Sequence, residues 1–153
     1  MKIEDLMTAN PTTCTRDTNL AAAAALLLEA DCGFLPVLDD GKLVGVVTDR
    51  DMYIALATRN QLASRLSVGD VARTNVLTCE PEDDVHDVLD AMRMRRVRRV
   101  PVVGFGGTVL GVASMNDILL AAGPDQGVRT DKIVDTFQGI CAHHHPAPHV
   151  NAA

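Results

Sequence analysis

The sequence predicts an α/β fold made of two copies of one β-α-β-β-α unit, and three observations carry that prediction. The chain repeats itself: Pro36-Val37 aligns with Pro101-Val102 at an offset of 65 residues, which also matches Asn10 with Asn75, Thr13 with Thr78 and Cys14 with Cys79. Apolar residues recur at helical spacing with the same offset, as Leu20, Ala23, Ala24 and Leu27 and then Val85, Val88, Leu89 and Met92. With one residue inserted in the turn, Gly45-Val46-Val47-Thr48-Asp49-Arg50-Asp51 matches Gly111-Val112-Ala113-Ser114-Met115-Asn116-Asp117. A period of this size reads as one supersecondary unit used twice.

Each unit opens with a short helical turn, Ile3-Glu4-Asp5-Leu6-Met7 in the first and Val68-Gly69-Asp70-Val71-Ala72 in the second. Brief extended segments follow at 12–15 and 76–79. Asp17 or Thr18, and later Glu82 or Asp83, stand where a side-chain oxygen accepts the orphan N–H groups of a helix, which predicts helices at 18–31 and 82–96. Strands are expected at 34–38, 43–48, 99–103 and 108–113, because Asp39-Asp40-Gly41 and Gly104-Phe105-Gly106-Gly107 have hairpin chemistry. A helix closes each unit, at 49–58 and 115–122. The first repeat is thus 1–58, a linker covers 59–67, and the second repeat is 68–122. Gly123-Pro124 ends it, since glycine permits a helix stop and proline cannot continue one. A helical extension spans 123–141, with Ile133, Val134, Phe137 and Ile140 on one face that needs a partner, either the domain itself or another subunit. The tail at 142–153 turns to His, Pro and Ala and is expected to be disordered.

Composition narrows the function classes. Of 153 residues, 47% are hydrophobic but only 3% aromatic, so the core must be aliphatic. A net charge of −6 argues against general nucleic-acid binding, which wants a basic surface. No apolar run approaches the roughly 20 residues needed to span a bilayer. The acidic start Met1-Lys2-Ile3-Glu4-Asp5 is unlike a secretory leader, and a cytoplasmic location is expected. Cys14 and Cys79 read as small buried hydrophobes, with a redox pair across the repeat axis as the alternative. Cys141, His143, His144, His145 and His149 have the chemistry of Zn or Ni ligands. Adjacent histidines on a flexible tail bind metal adventitiously, so no metal site is assigned. His86 is read as standing alone on a helix exterior, and no catalytic residue is assigned.

The chemistry concentrates between Arg93 and Asp117. Arg93, Arg95, Arg96, Arg98 and Arg99 place five of eleven arginines within seven residues. Ser114 and Asp117 then follow a strand, at a predicted helix start whose free N–H groups and partial positive charge attract anions. Arginines bring planar donors that fit phosphate. Asp117 would repel a phosphate, and suits the hydroxyls of a ribose instead. Helix capping is the competing explanation for Ser114 and Asp117; the repetition in Thr48 and Asp51, with the arginines, favours a nucleotide.

These residues resemble the cystathionine-β-synthase (CBS) domain, which occurs in tandem pairs. The resemblance rests on Gly45 to Asp51, Gly111 to Asp117, Leu35-Pro36-Val37-Leu38-Asp39 and Arg98-Arg99-Val100-Pro101-Val102-Val103, and covers residues 1 to about 122. It implies an α/β tandem pair packed about a pseudo-twofold axis, with two clefts that hold AMP, ADP, ATP, NAD or S-adenosylmethionine. It further implies that Asp117 and Asp51 bind ribose and that Ser114 and Thr48 bind phosphate. Arg98 and Arg99, ahead of the strand proline Pro101, would reach phosphate, with Asn116 beside them in the helix turn. Thr13 and Thr78 would line the adenine pockets. In the first repeat Gly33 and Phe34 replace the two arginines, so the second cleft is expected to be the tighter phosphate site. No cofactor is required, and adenosine nucleotides are expected as regulatory ligands of a stand-alone homodimer that signals to an unidentified protein. A ligand-free structural adaptor and a nucleotide-processing enzyme are the rival readings.

Overall fold

The computed structural model describes residues 1–123 and 127–142. In the first repeat, β1 (Thr8–Ala9) and β2 (Cys14–Thr15) lead into α1 (Leu20–Glu29) and then the hairpin β3 (Phe34–Asp39) and β4 (Lys42–Thr48), closed by α2 (Asp49–Arg59). The second repeat gives α3 (Val85–Arg95), β5 (Arg99–Val103), β6 (Val109–Ser114) and α4 (Met115–Leu120). The extension is α5 (Thr130–Cys141). One sheet has the order β2-β3-β4 and the other β1-β6-β5. Both β-hairpins carry a register shift at equivalent places, between Val37 and Leu38 and between Val102 and Val103.

Segment ends differ from expectation for identifiable reasons. The helix caps are Asn19, which accepts from Ala22 N at 2.9 Å, and Asp84, which accepts from His86 N at 2.8 Å. Thr18 and Asp83 close the turns just before, accepting from Thr15 N at 3.1 Å and Glu80 N at 2.8 Å. Both helices therefore start later than 18 and 82. The segment at 76–79 contributes one isolated parallel bridge, Cys79 to Val102, rather than a strand. The glycine-rich turn is a short 3-10 turn at Phe105–Gly107, in which Gly106 and Gly107 take positive φ, and α4 ends at Leu120. Pro124 and the expected disordered tail from His143 onward lie outside the described residues.

The two repeats are laced together by exchange. Ile3 N donates to Asp83 O at 3.0 Å and Val85 N to Met1 O at 3.0 Å. In the mirror arrangement Val68 N donates to Thr18 O at 2.7 Å and Leu20 N to Leu66 O at 2.9 Å. The opening turn of each repeat thus packs on the helix start of the other. Ile3 and Val68 carry the exchange inward: both are fully buried, Ile3 in the second repeat's core and Val68 in the first's. The same crossing continues into the sheets, where Thr8 pairs with Val112 and Arg73 with Val46.

Each core is aliphatic. Leu20, Ala23, Leu27, Leu35, Val37 and Val47 centre the first, and Val85, Leu89, Met92, Val100, Val102 and Ile118 the second. A third cluster of Phe34, Val46 and Val112 with Val76 seals the seam between the repeats. Cys14 and Cys79 sit in different cores and are free thiols, so they are buried hydrophobes and not a redox pair. Burial pushes the Cys14 thiol up to about 11 and, with the nearby Asp83 charge, the Cys79 thiol to about 12. The face of α5 finds its partner in the domain itself: Ile133 is buried in the second core, Phe137 and Ile140 pack against it, and Lys132 pairs with Asp90 of α3. His86 is accordingly no lone exterior residue; it is partly covered, with Nδ1 2.9 Å from Asp84 Oδ1. On the two helices that close the repeats, Met52, Ala55 and Ile118 are core, while Ile54, Leu119 and Leu120 remain exposed.

Candidate functional site

Strand β6 and helix α4 meet at Ser114, and the local sequence dictates the turn. Ser114 Oγ accepts from Asp117 N at 3.2 Å, while Asp117 Oδ2 accepts from Ser114 N at 2.9 Å and Ser114 Oγ at 2.6 Å. This capping box fixes the carboxylate at the helix start. The antiparallel register sets Arg99 directly across from Ser114, and Met115 N donates to Arg98 O at 3.0 Å. Cross-strand partners share a face of the sheet, so Arg99 stands on the Ser114 side. Among the described residues, Arg99 makes no side-chain hydrogen bond and Asp117 Oδ1 accepts none.

Arg98 takes another direction. Its Nη2 reaches Cys141 Sγ at 3.8 Å, at the end of α5. Arg95 caps the loop before it, donating to Asn75 Oδ1 at 2.8 Å. Asn116 is exposed and Pro101 is buried, its carbonyl accepting from Cys79 N at 3.1 Å. Thr13 is half-buried just before β2. Thr78 borders a cavity of about 150 Å³ whose lining, from Leu77 to Val100, includes none of Arg98, Arg99, Ser114 or Asp117. The structure therefore gathers Arg99, Ser114, Asn116 and Asp117 around one helix start, turns the Arg98 side chain toward Cys141 and leaves Thr78 on another surface.

The first repeat builds the same turn with different company. Thr48 Oγ1 donates to Asp51 Oδ2 at 2.8 Å and accepts from Asp51 N at 3.2 Å. Arg73, from the second repeat, donates through Nε and Nη2 to Asp51 Oδ1 at 3.0 and 2.6 Å. Burial would raise the Asp51 carboxyl, but the hydrogen bonds from Arg73 and Thr48 and the Arg73 charge outweigh it and hold the carboxyl below its ordinary range. The position equivalent to Arg99 is Phe34, buried in the seam cluster. Arg73 escaped the sequence reading, which sought cations beside the strand proline. The offset of 65 that pairs it with Thr8 was the signal that could have found it.

Comparison with known proteins agrees with this doubled architecture. The sequence pattern of the CBS domain matches twice, at residues 3–58 and 68–123. The chain is 33% identical over 123 residues to the uncharacterized protein YlbB of Bacillus subtilis, covering 78% of this chain and 81% of that one. It is 31% identical to hypoxic response protein 1 of Mycobacterium tuberculosis, covering 74% and 80%. A solved CBS domain pair in complex with 5′-methylthioadenosine and S-adenosyl-L-methionine superposes with a TM-score of 0.72 at 27% identity, over 78% of this chain and 94% of that one. Other relatives are longer enzymes, of which the chain spans 22%. Among the described residues no helix is long and apolar enough to cross a membrane. With two matched repeats, the sheets they build and the interlocked seam between them, the chain belongs to the CBS domain family as a tandem pair.

Proposed function

We propose that this protein is a cytoplasmic regulatory module that binds an adenosine ligand (AMP, ADP, ATP, NAD or S-adenosylmethionine) at the second repeat's motif and signals its level to a partner protein. The carrying observation is the pairing of Arg99 with Ser114 beside a carboxylate whose Oδ1 is open among the described residues. Cation, hydroxyl and carboxylate thus surround one helix start. Asp117 would hold the ribose hydroxyls, Ser114 and Arg99 the phosphate, and Arg98 would join them by leaving Cys141. Hydrogen bonds to charged groups contribute roughly 1.5–3 kcal/mol each. Two arginines absent from the first repeat therefore favour the second site by on the order of 3 kcal/mol, about a hundredfold.

The related pair that carries 5′-methylthioadenosine and S-adenosyl-L-methionine supports the ligand class. Exposed Ile54, Leu119 and Leu120 support a homodimer through the helices that close each repeat. Thermal shifts over the five ligands test the reading. A selective rise that Asp117→Ala removes is expected. A flat panel would make the protein an adaptor, and steady turnover of ATP with Mg²⁺ lost in Asp117→Ala would make it an enzyme.

A further inference from the structure

The two motif carboxylates are set in the same frame but not in the same state. Both Asp51 and Asp117 turn Oδ2 inward to the hydroxyl of their own helix start, Thr48 at 2.8 Å and Ser114 at 2.6 Å. They differ at Oδ1. On Asp117 it is open among the described residues, whereas on Asp51 it takes both Nε and Nη2 of Arg73. The Asp51 side chain is 8% exposed and that of Arg73 67%, so the guanidinium lies over the carboxylate on its solvent side.

The backbone holds Arg73 to this task. Val46 N donates to Arg73 O at 3.0 Å and Arg73 N to Val46 O at 2.9 Å. A Cβ on Gly45 would stand 2.9 Å from Arg73 O, which is the closeness that lets the segment lie on β4. In the second repeat Thr8 occupies the matching register against Val112, and a Cβ on Gly111 would stand 3.0 Å from Thr8 O. One slot exists twice. It carries a long cation in the first repeat and a short neutral hydroxyl in the second.

A vicinal diol grips a carboxylate with two hydroxyls and needs oxygen lone pairs facing solvent. At Asp117 they are available. At Asp51 a ribose must first displace a charged, two-pronged donor that is itself anchored through its backbone. We infer that Arg73 is a specificity-determining latch that closes the first motif to neutral nucleosides, so that the pair presents one adenosine site per chain and not two. This rests on the reading that the motif carboxylates are ribose acceptors. The position equivalent to residue 8 or 73 thereby sets how many sites a chain of this design offers.

Calorimetry with adenosine on the full chain tests it. The wild type should bind one adenosine per chain, and Arg73→Thr, which installs the residue of the sister slot, should bind two. Freeing one oxygen from a charged partner should tighten the first motif at least about tenfold. The reciprocal change, Thr8→Arg, should cost the wild-type site a similar factor by placing a guanidinium against Asp117. Should Arg73→Thr fail to melt cooperatively, Arg73→Gln keeps the stem, removes the charge and carries the same expectation. Two sites in the wild type overturn the latch, as does a single site in a folded Arg73→Thr with Thr8→Arg unchanged. No adenosine binding by any variant, with the folds intact, removes the ribose reading itself and the latch with it.

Discussion

Truncating Ile3 to alanine should damage the repeat that Ile3 does not belong to in sequence. The side chain is fully buried, within the cluster of Val85, Leu89, Met92 and Val100. Isoleucine-to-alanine changes at such sites cost about 2–5 kcal/mol, the spread reflecting how far the cavity collapses. Three backbone hydrogen bonds, from Ile3 N, Glu4 N and Val85 N, tie this turn to the second repeat and limit collapse. About 3 kcal/mol is therefore expected, or about 6–12 °C in Tm for a chain of this size. Amide exchange then locates the damage. Protection should fall first across Val85–Arg95, Arg99–Val103 and Val109–Ser114, the elements of the second core. Val68→Ala, with a smaller side chain lost, should cost about 2 kcal/mol and act instead on Leu20–Glu29 and Phe34–Asp39. Exchange rising first in the first repeat for Ile3→Ala would refute the interlocking.

Arg98→Ala and Arg99→Ala should weaken AMP by about 10–100-fold each while sparing adenosine, since only phosphate loses a partner. Asp117→Ala should weaken both ligands alike, and titration calorimetry at two salt concentrations separates the cases because screening acts on the phosphate contribution. The Asp51 carboxyl is held below its ordinary range, so its contribution to stability is present above about pH 4 and is lost as pH falls through the folded value. Asp51→Asn should therefore be less stable than the wild type in urea at pH 7 by about 1–2 kcal/mol, a gap that closes as pH falls through the folded value. Cys14 and Cys79, with thiols raised to about 11 and about 12, should resist iodoacetamide at neutral pH while exposed Cys141 reacts, as peptide mass spectrometry would read.

The doubled fold was legible because helical spacing and the Gly-to-Asp heptad recur at a fixed offset, and both depend on residue types. The caps were misplaced by a residue or more because Thr18 and Asp83 have the right chemistry and do use it, on turns one residue too early. Exchange between repeats left no sequence trace, since Ile3 and Val68 look like ordinary core residues and nothing local says whose core. That Arg98 and Arg99 face opposite sides was readable from strand alternation. The divergence of Arg98 toward Cys141 was not, because it depends on where α5 docks. The repeat offset marks Arg73 as the counterpart of Thr8, but its target was not readable, because Asp51 lies 22 positions away across the seam.

That seam also explains why the two motifs are not interchangeable. Their backbones share the shifted register in each hairpin and the doubled close approach at Gly45 and Gly111. Two of the differences between them face the seam or the motif, Phe34 against Arg99 and Arg73 against Thr8. Phe34 cannot become arginine at small cost, because it is 9% exposed among Val46 and Val112, and a charge there would lie buried without a partner. Arg99 is under no such constraint, being partly exposed beside Ser114. The apolar plug needed to seal the repeats thus falls on the first motif and leaves the second free to carry charge. An open first carboxylate beside that plug would offer ribose a grip with no phosphate partner to match. Arg73 closes it, so packing at the seam and the charge at Asp51 act in the same direction.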